Sequence, residues 1–276
     1  LLGNLDGFRP EDVLPPADLL PLDRWAVDRA AQLQDQVRQA YDEYQFLQIY
    51  QKVHHFCAVD MGAFYLDVLK DRLYTTGRDS LPRRSAQTAM YHVLEAMVRW
   101  IAPVLSFTAE EIHQHVPGER GGSIFFETWY EGLFEMDNAE AERERWRRVM
   151  KVRDEVSKSI EIVRRDGKAG SSLAVEVDVW LDGALREAVD SLGDELRFVL
   201  LTSEARVGAL AAAPAAAERI RLDEGELALS VTPSGHAKCV RCWHYRADVG
   251  SDPGHPELCG RCVENVAGAG ETRRHA

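Results

Sequence analysis

Two stretches, Lys238-Cys-Val-Arg-Cys-Trp-His-Tyr245 and Leu258-Cys-Gly-Arg-Cys-Val263, decide how the last part of this chain folds. Each contains a Cys-x-x-Cys pair, and sixteen residues separate the two pairs. A Cys-x-x-Cys turn directs two sulfurs at one metal ion, and two such turns complete a tetrahedral Zn²⁺ site. The spacing therefore predicts one zinc ion held by Cys239, Cys242, Cys259 and Cys262.

Other uses of four cysteines fit this spacing less well. Two disulfides require an oxidising compartment, and a thioredoxin-type site needs only one pair in a βαβ setting. The segment 234–276 is close to the size, about 40 residues, below which a module rarely buries enough apolar surface to fold unaided. The metal is therefore expected to supply most of its folding free energy. Because all four ligands come from protein, we interpret the zinc as structural.

Composition limits the function classes. The 276 residues suffice for two or three domains, and 33 basic against 45 acidic residues give a net charge of −12. Such a balance argues against indiscriminate nucleic-acid binding. The sequence shows no apolar run near the ~20 residues of a membrane span and no signal peptide, and Cys57 is the one cysteine outside the cluster. We predict a cytoplasmic protein without a membrane partner, with Cys57 as a small core residue.

The first two-thirds of the chain has helical periodicity. Prolines make 1–21 a connector, and apolar spacings of three and four predict a helix from about Leu22 that continues to about Asp60. Further helices are expected at about 83–101, after a capping box at Thr108–Glu111, and at about 139–165. Residues 22–168 are therefore interpreted as a helical bundle. Since the chain opens on Leu1 rather than Met, we expect it to be the C-terminal piece of a longer protein.

The period changes after the bundle. Alternation from Leu173 to Leu181 predicts a half-buried strand, and 185–191 a short helix. Residues 196–202 and 226–232 are two further strand candidates. The predicted fold class is mainly α, with the bundle (22–168) followed by a small α+β unit (169–233) and a Cys₄ zinc-ribbon-like module (234–276).

Two other clusters have an ordinary structural explanation. The histidines of the His54-His55 and His113-x-His115 pairs would point in different directions on a helix, so neither pair is expected to bind a metal. The basic run that includes Arg147 and Arg148 is by default a solvated helix face, with a nucleic-acid backbone contact as the alternative. No phosphate-binding glycine loop and no nucleophile–base set is recognisable.

Several segments resemble the C-terminal third of bacterial isoleucyl-tRNA synthetases. They include Phe64-Tyr-Leu-Asp-Val-Leu-Lys-Asp-Arg72, Arg99-Trp-Ile-Ala-Pro-Val-Leu-Ser-Phe-Thr-Ala109 and the two cysteine stretches. The helical segments would fit several class I synthetases, and the zinc module narrows the resemblance to the isoleucine enzymes. The resemblance covers essentially the whole chain.

The resemblance implies a helical anticodon-binding domain and a zinc finger that bind the anticodon stem-loop of tRNA(Ile). It places the Arg241-Cys-Trp243 segment against the first anticodon base, although Trp243 could instead merely cover the zinc sulfurs. Arg246 and Arg261 are further expected tRNA contacts, as are Arg147 and Arg148. The family activates isoleucine with ATP and Mg²⁺ on a domain with His-Ile-Gly-His and Lys-Met-Ser-Lys-Ser type motifs, which this sequence lacks.

The chain is accordingly expected to be inactive alone, to work with catalytic and editing domains upstream, and to be a monomer. Two alternatives remain open. Formamidopyrimidine-type DNA glycosylases end in a zinc finger of the same spacing, but they need an N-terminal proline next to a glutamate, and the chain begins Leu1-Leu2. A zinc-stabilised protein-interaction module is the third interpretation.

Overall fold

The computed structural model describes all residues, 1–276, and forms two compact units. The first contains Leu1–Leu73 and Arg78–Ala139, and the second contains Tyr74–Gly77 and Glu140–Ala276. The chain is predominantly helical with one small mixed sheet, which confirms the predicted fold class. The predicted four-part division stays a prediction, since compactness alone does not test which segments fold independently.

The first unit is built from helices. Short 3₁₀ turns precede the first helix, and a further one covers Ile124–Phe126. The helices are α1 (Pro21–Asp42), α2 (Phe46–His55), a π-helical segment (Phe56–Tyr65), α3 (Leu66–Thr75), α4 (Leu81–Ile101) and α5 (Ser106–His115). The last two residues of α3, Tyr74 and Thr75, belong to the second unit. The predicted helix at 83–101 is confirmed by α4. None of the helices of the chain is long and apolar enough to span a membrane.

Three local expectations for this unit are wrong. The helix expected to run from Leu22 to Asp60 is interrupted after Asp42, because Tyr44 takes a left-handed backbone with φ of 56°. Thr108 does not cap α5, which has already begun at Ser106. Cys57 is exposed rather than in the core, since it follows the buried Phe56 on the outer side of the π-helical segment.

A carboxylate without exposed surface joins four helical segments of the first unit. Asp23 on α1 accepts hydrogen bonds from Tyr65 Oη (2.7 Å), from Arg72 Nη2 (2.6 Å) and from the Ser85 hydroxyl. Ser85 Oγ in turn accepts the N–H of Leu20 at 2.8 Å, next to the start of α1. Burial, followed by the nearby Asp23 charge, raises the pKa of Tyr65 well above its ordinary value, so the phenol keeps the proton that it donates.

Removing this carboxylate should strongly destabilise the chain. Asp23→Ala breaks the buried ion pair between Asp23 and Arg72, and breaking a buried pair by removing one partner typically costs ~3–5 kcal/mol. The exposed Lys70–Asp67 pair on α3 offers a matched control, because Lys70→Ala should change the free energy of unfolding by less than about 1 kcal/mol. Urea denaturation followed by circular dichroism measures both; equal effects would contradict the role given to Asp23.

The second unit combines a long helix with a four-stranded sheet. Its elements are α6 (Ala139–Arg165), β1 (Val175–Leu181), α7 (Gly183–Asp190), α8 (Leu196–Leu200), β2 (Glu204–Gly208), β3 (Glu218–Leu222) and β4 (Gly225–Pro233). The strand order is β2-β1-β4-β3, with β1 and β2 parallel and the other pairs antiparallel. Alternate residues of β1 are buried, as its sequence pattern predicted.

The predicted strand at 196–202 is instead the helix α8. Its short apolar run does not distinguish a strand from a helix, because both can be buried on all sides. Four of its five residues are buried, and the helix ends where Leu201 adopts a left-handed φ of 58°. The strands β2 and β3 were not predicted, because their alternation of charged and apolar residues, Glu204-Ala-Arg-Val207 and Arg219-Ile-Arg-Leu222, extends over only four residues each.

Candidate metal centre and RNA interface

The four cysteines of the two Cys-x-x-Cys pairs converge in the second unit. The sulfurs of Cys239, Cys242, Cys259 and Cys262 lie within 4.8 Å of one another, and all four residues are buried. Sulfurs on a tetrahedral zinc at ~2.3 Å stand roughly 3.8 Å apart, and the Cys242–Cys259 sulfur separation is 3.7 Å. This separation is also far beyond a disulfide bond of about 2 Å, so the cluster fits a metal rather than cross-links.

Backbone hydrogen bonds shape the two turns around the sulfurs. In the first turn, Trp243 N–H donates to the Cys239 carbonyl and Cys239 N–H donates to the His244 carbonyl, both at 2.9 Å. Two short antiparallel strands of two residues each, β5 (Ala237–Lys238) and β6 (Tyr245–Arg246), lie on either side of this turn. In the second turn, Cys259 caps the helix α9 (Gly260–Ala267) and its N–H points at Cys239 Sγ at 3.4 Å.

The electrostatics of the cluster favour a bound divalent cation. Hydrogen bonding to Cys242 and Cys262 lowers the pKa of Cys259 to about 4, whereas hydrogen bonding to Cys242 and Cys259 raises the pKa of Cys262. The sulfurs thus compete for protons, because closely spaced thiolates repel one another. A zinc ion removes that repulsion, and the positive end of α9 supports the thiolates of Cys259 and Cys262.

The outer face of the first turn is exposed and carries an aromatic ring among cations. Trp243 is 60% exposed and Val240 53% exposed, and Lys238 Nζ lies 5.2 Å from the centroid of the Trp243 ring. Arg241 is also exposed, and its Nη2 donates to the Thr75 carbonyl at 3.2 Å. An exposed indole flanked by Lys and Arg matches the chemistry that binds unpaired bases. We call the exposed side chains of Lys238, Val240, Arg241 and Trp243 the knuckle face.

Trp243 occupies an unfavourable backbone conformation. Its φ is 66°, in the left-handed region that glycine tolerates and a bulky residue enters at a cost. Burial does not repay that cost, because more than half of the side chain is in solvent. A glycine would suit the turn better, so the conformation of the turn itself does not require this side chain.

Arg246 and Arg261, two of the predicted RNA contacts, are engaged inside the unit. Arg246 Nη1 donates to the Ser203 carbonyl at 3.1 Å and pairs with Glu204. Arg261 pairs with Glu271 at 2.9 Å, and its guanidinium lies 5.1 Å from the centroid of the Phe198 ring. These contacts attach the zinc module to β2 and α8.

The same attachment includes side chains that sequence reasoning missed. Arg273 lies 3.5 Å from the Phe198 ring centroid, and the Glu195 carboxylate accepts the N–H groups of residues 274–276 at 2.7–2.9 Å. Burial, and then the charges of Arg246, Arg261 and Arg273, lower the pKa of Arg197 to about 10. No sequence signal joins Phe198 to arginines more than 40 residues away, so this cluster emerges only from the fold.

The remaining predicted contacts lie on α6 in ion pairs. Arg147 pairs with Glu144 and Glu224, and Arg148 pairs with Glu144 at 2.8 Å. Their charge is therefore largely compensated within the protein. Of the four histidines considered above, His113 is buried and His54 packs its ring 5.7 Å from that of Tyr50; none lies in a metal-binding cluster.

The fold and the cysteine cluster define a class of protein. Residues 23–179 match the family model of the anticodon-binding domain of tRNA ligases, and residues 238–265 match that of a zinc finger found in FPG and IleRS. Because the first match covers more than half of the sequence, the chain belongs to the family of anticodon-binding domains of tRNA ligases. The zinc-finger match and the sulfur geometry together identify the cofactor as structural Zn²⁺.

The most informative relatives are isoleucine–tRNA ligases. The chain is 57% identical to those of Thioalkalivibrio sulfidiphilus and Methylococcus capsulatus and 54% identical to that of Pseudomonas entomophila. These matches cover 99–100% of this chain but only 29–30% of each relative, so the chain spans less than a third of their length. The DNA glycosylase alternative is not favoured, because the zinc finger is the one part that it would explain.

Loss of a single cysteine ligand should release the metal and loosen the module. Cys262→Ser is expected to lower bound zinc from one per chain to well below one, because the site has no spare ligand. Cys57→Ser, which changes a cysteine outside the cluster, is the matched control and should keep the full zinc content. Elemental analysis of purified protein measures both, and a zinc-free but equally protease-resistant Cys262→Ser module would contradict the structural role.

Proposed function

We propose that this chain is the tRNA-binding region of an isoleucine–tRNA ligase and that it contacts the anticodon stem-loop of tRNA(Ile). The proposal is supported by the family match over 23–179 together with the relatives that align along the whole chain. The longer protein would activate isoleucine with ATP and Mg²⁺ and transfer it to this tRNA in the cytoplasm, acting as a monomer. Upstream domains would then supply the catalytic and editing chemistry.

The knuckle face is the proposed reader of the anticodon loop. The observation that carries this assignment is the exposed Trp243 ring, held at a strained φ of 66° directly after the zinc ligand Cys242. Stacking on an indole accepts any base, and Arg241 can add hydrogen bonds to a base edge. The contact of Arg241 with the Thr75 carbonyl uses one of its five donors and leaves others for RNA.

The other predicted arginines receive different roles in this proposal. Arg246 and Arg261 position the knuckle face through Glu204, Glu271 and Phe198 rather than touching RNA themselves. Arg147 and Arg148 are kept as phosphate contacts that would exchange their ion pairs with glutamates for pairs with the RNA backbone. Neutralising either should weaken binding to all anticodon variants evenly and reduce the salt dependence.

Replacing Trp243 should separate RNA binding from stability. Trp243→Gly relieves the left-handed strain, so the module should be as stable as the parent or more stable by up to about 1 kcal/mol. The same change removes a stacking surface worth ~1–3 kcal/mol and should weaken anticodon stem-loop binding roughly tenfold. Trp243→Phe keeps a ring and should retain most of the affinity.

Fluorescence anisotropy with labelled stem-loops and thermal melts of the zinc-loaded variants provide the two readouts. Arg241→Ala should in addition bind stem-loops with an altered first anticodon base almost as well as the cognate one. If Trp243→Gly and Arg241→Ala both bind every stem-loop as the parent does, the knuckle face is only a cover for the zinc.

The isolated chain should have no ATP–pyrophosphate exchange activity. Adenylate formation requires phosphate-binding and charge-stabilising groups, and the synthetase motifs that supply them do not occur in the sequence. The measurement is isoleucine-dependent exchange, with a full-length isoleucine–tRNA ligase as the positive control. Exchange that survives removal of any contaminating full-length enzyme would contradict the division of labour proposed here.

A further inference from the structure

The turn between α1 and α2 carries a second group of exposed aromatic side chains, far from the cysteines in sequence. Tyr44 is 79% exposed, Tyr50 64% and Phe46 53%. The Phe46 ring centroid lies 6.2 Å from those of both Tyr41 and Tyr44, in edge-to-face geometry. We call Tyr41, Tyr44, Phe46 and Tyr50 the aromatic corner.

Tyr44 stands where a helix normally ends with glycine. Its N–H donates to the Tyr41 carbonyl at 3.1 Å, and the Gln45 N–H donates to the Ala40 carbonyl at 2.7 Å. These are the two hydrogen bonds of a Schellman motif, whose left-handed position is usually glycine because it has no Cβ. Tyrosine at φ 56° is strained there, and its ring is nearly fully solvated. Within the fold this side chain makes an edge-to-face contact with Phe46 while most of its surface stays in solvent, which indicates an external contact.

Only two of the four non-glycine residues with positive φ are exposed aromatics. Asn138 tolerates this conformation through its short polar side chain, and Leu201 ends α8 with a half-buried side chain. The other two are Tyr44 and Trp243. The aromatic corner and the knuckle face therefore share one feature, an exposed aromatic ring on a residue with a left-handed backbone.

The surroundings of the aromatic corner combine exposed ring faces with a nearby cation and the exposed aliphatic side chain of Leu47. The Arg38 guanidinium lies 5.6 Å from the Trp129 ring, which is 6.1 Å from Tyr41, and His54 stacks beside Tyr50. Asp42 and Glu43 adjoin Tyr44, so a phosphate directly against this turn would be repelled. Exposed ring faces with a cation at the edge are instead the arrangement that stacks unpaired bases.

We propose that the aromatic corner is a second RNA-contacting surface, on which Tyr44 and Phe46 stack unpaired bases of the bound RNA. This inference rests on the proposed function, because the RNA is the anticodon stem-loop that the family match implies. The corner lies within residues 23–179, the part of the chain that matches the anticodon-binding family. The knuckle face and the aromatic corner would then each contribute stacking to the bound RNA.

The test uses the zinc-loaded chain and a stem-loop with 2-aminopurine at successive loop positions. Tyr44→Gly should leave the melting temperature unchanged or raise it, since glycine suits the Schellman position, while weakening stem-loop binding roughly fivefold or more. At least one 2-aminopurine position should lose quenching in this variant and keep it in Tyr44→Phe. Tyr44→Leu, which keeps apolar area but no ring face, should bind as weakly as Tyr44→Gly.

The first unit offers a matched control for a general loss of exposed apolar surface. Phe107 on α5 is 93% exposed and lies outside the aromatic corner, so Phe107→Ser should leave both affinity and quenching unchanged. An equal loss in Phe107→Ser and Tyr44→Gly would overturn the assignment of stacking to the corner. Retained binding in Tyr44→Leu would also overturn it and indicate a protein-docking surface.

The outcomes distinguish this inference from the proposed function. Suppose that the parent chain binds the stem-loop and that Trp243→Gly weakens this binding while Tyr44→Gly does not. The RNA-binding role of the aromatic corner is then wrong, and the proposed function stands. If the parent chain does not bind the stem-loop at all, both the proposed function and the proposed role of the aromatic corner are wrong. Additive losses in the Tyr44→Gly, Trp243→Gly double variant support two separate stacking surfaces.

Discussion

The convergence of four cysteine sulfurs within 4.8 Å is the constraint on which the candidate RNA interface depends. It closes the turn that holds Trp243 at a left-handed φ, and it starts α9 at Cys259. Two arginines near these turns contact the neighbouring elements: Arg246 pairs with Glu204 of β2, and Arg261 lies over the Phe198 ring of α8. Because the module is too small to fold on apolar burial alone, the geometry of its outer face follows from metal coordination.

The first unit is organised by a different kind of constraint. Asp23 is completely buried, and its partners Tyr65, Arg72 and Ser85 come from three other segments of the chain. A buried ion pair adds little net stability compared with apolar packing, but it penalises any arrangement in which its members are mismatched. The helices of this unit are thereby held in one register. That order gives the short turn after Asp42 a defined position from which to present its rings.

Sequence reasoning succeeded where chemistry is local. The paired Cys-x-x-Cys spacing predicted the cluster, the periodicity of 83–101 predicted α4, and the alternation before Leu181 predicted β1. It failed where tertiary context decides. The run from Leu196 is apolar apart from Arg197 and became a helix, while the alternation of charged and apolar residues in β2 and β3 extends over only four residues each. The ion pairs of Arg246 and Arg261 depend on residues that only the fold brings near.

The contrast between Cys57 and the other cysteines has a practical consequence. Cys57 lies exposed on the π-helical segment that follows α2, whereas the remaining four thiols are buried together in the zinc module. A thiol-reactive fluorophore or spin label should therefore attach at one position without any cysteine having to be removed first. That position is only thirteen residues from Tyr44 in the sequence, so the native chain already offers an attachment point for distance measurements by energy transfer or electron spin resonance.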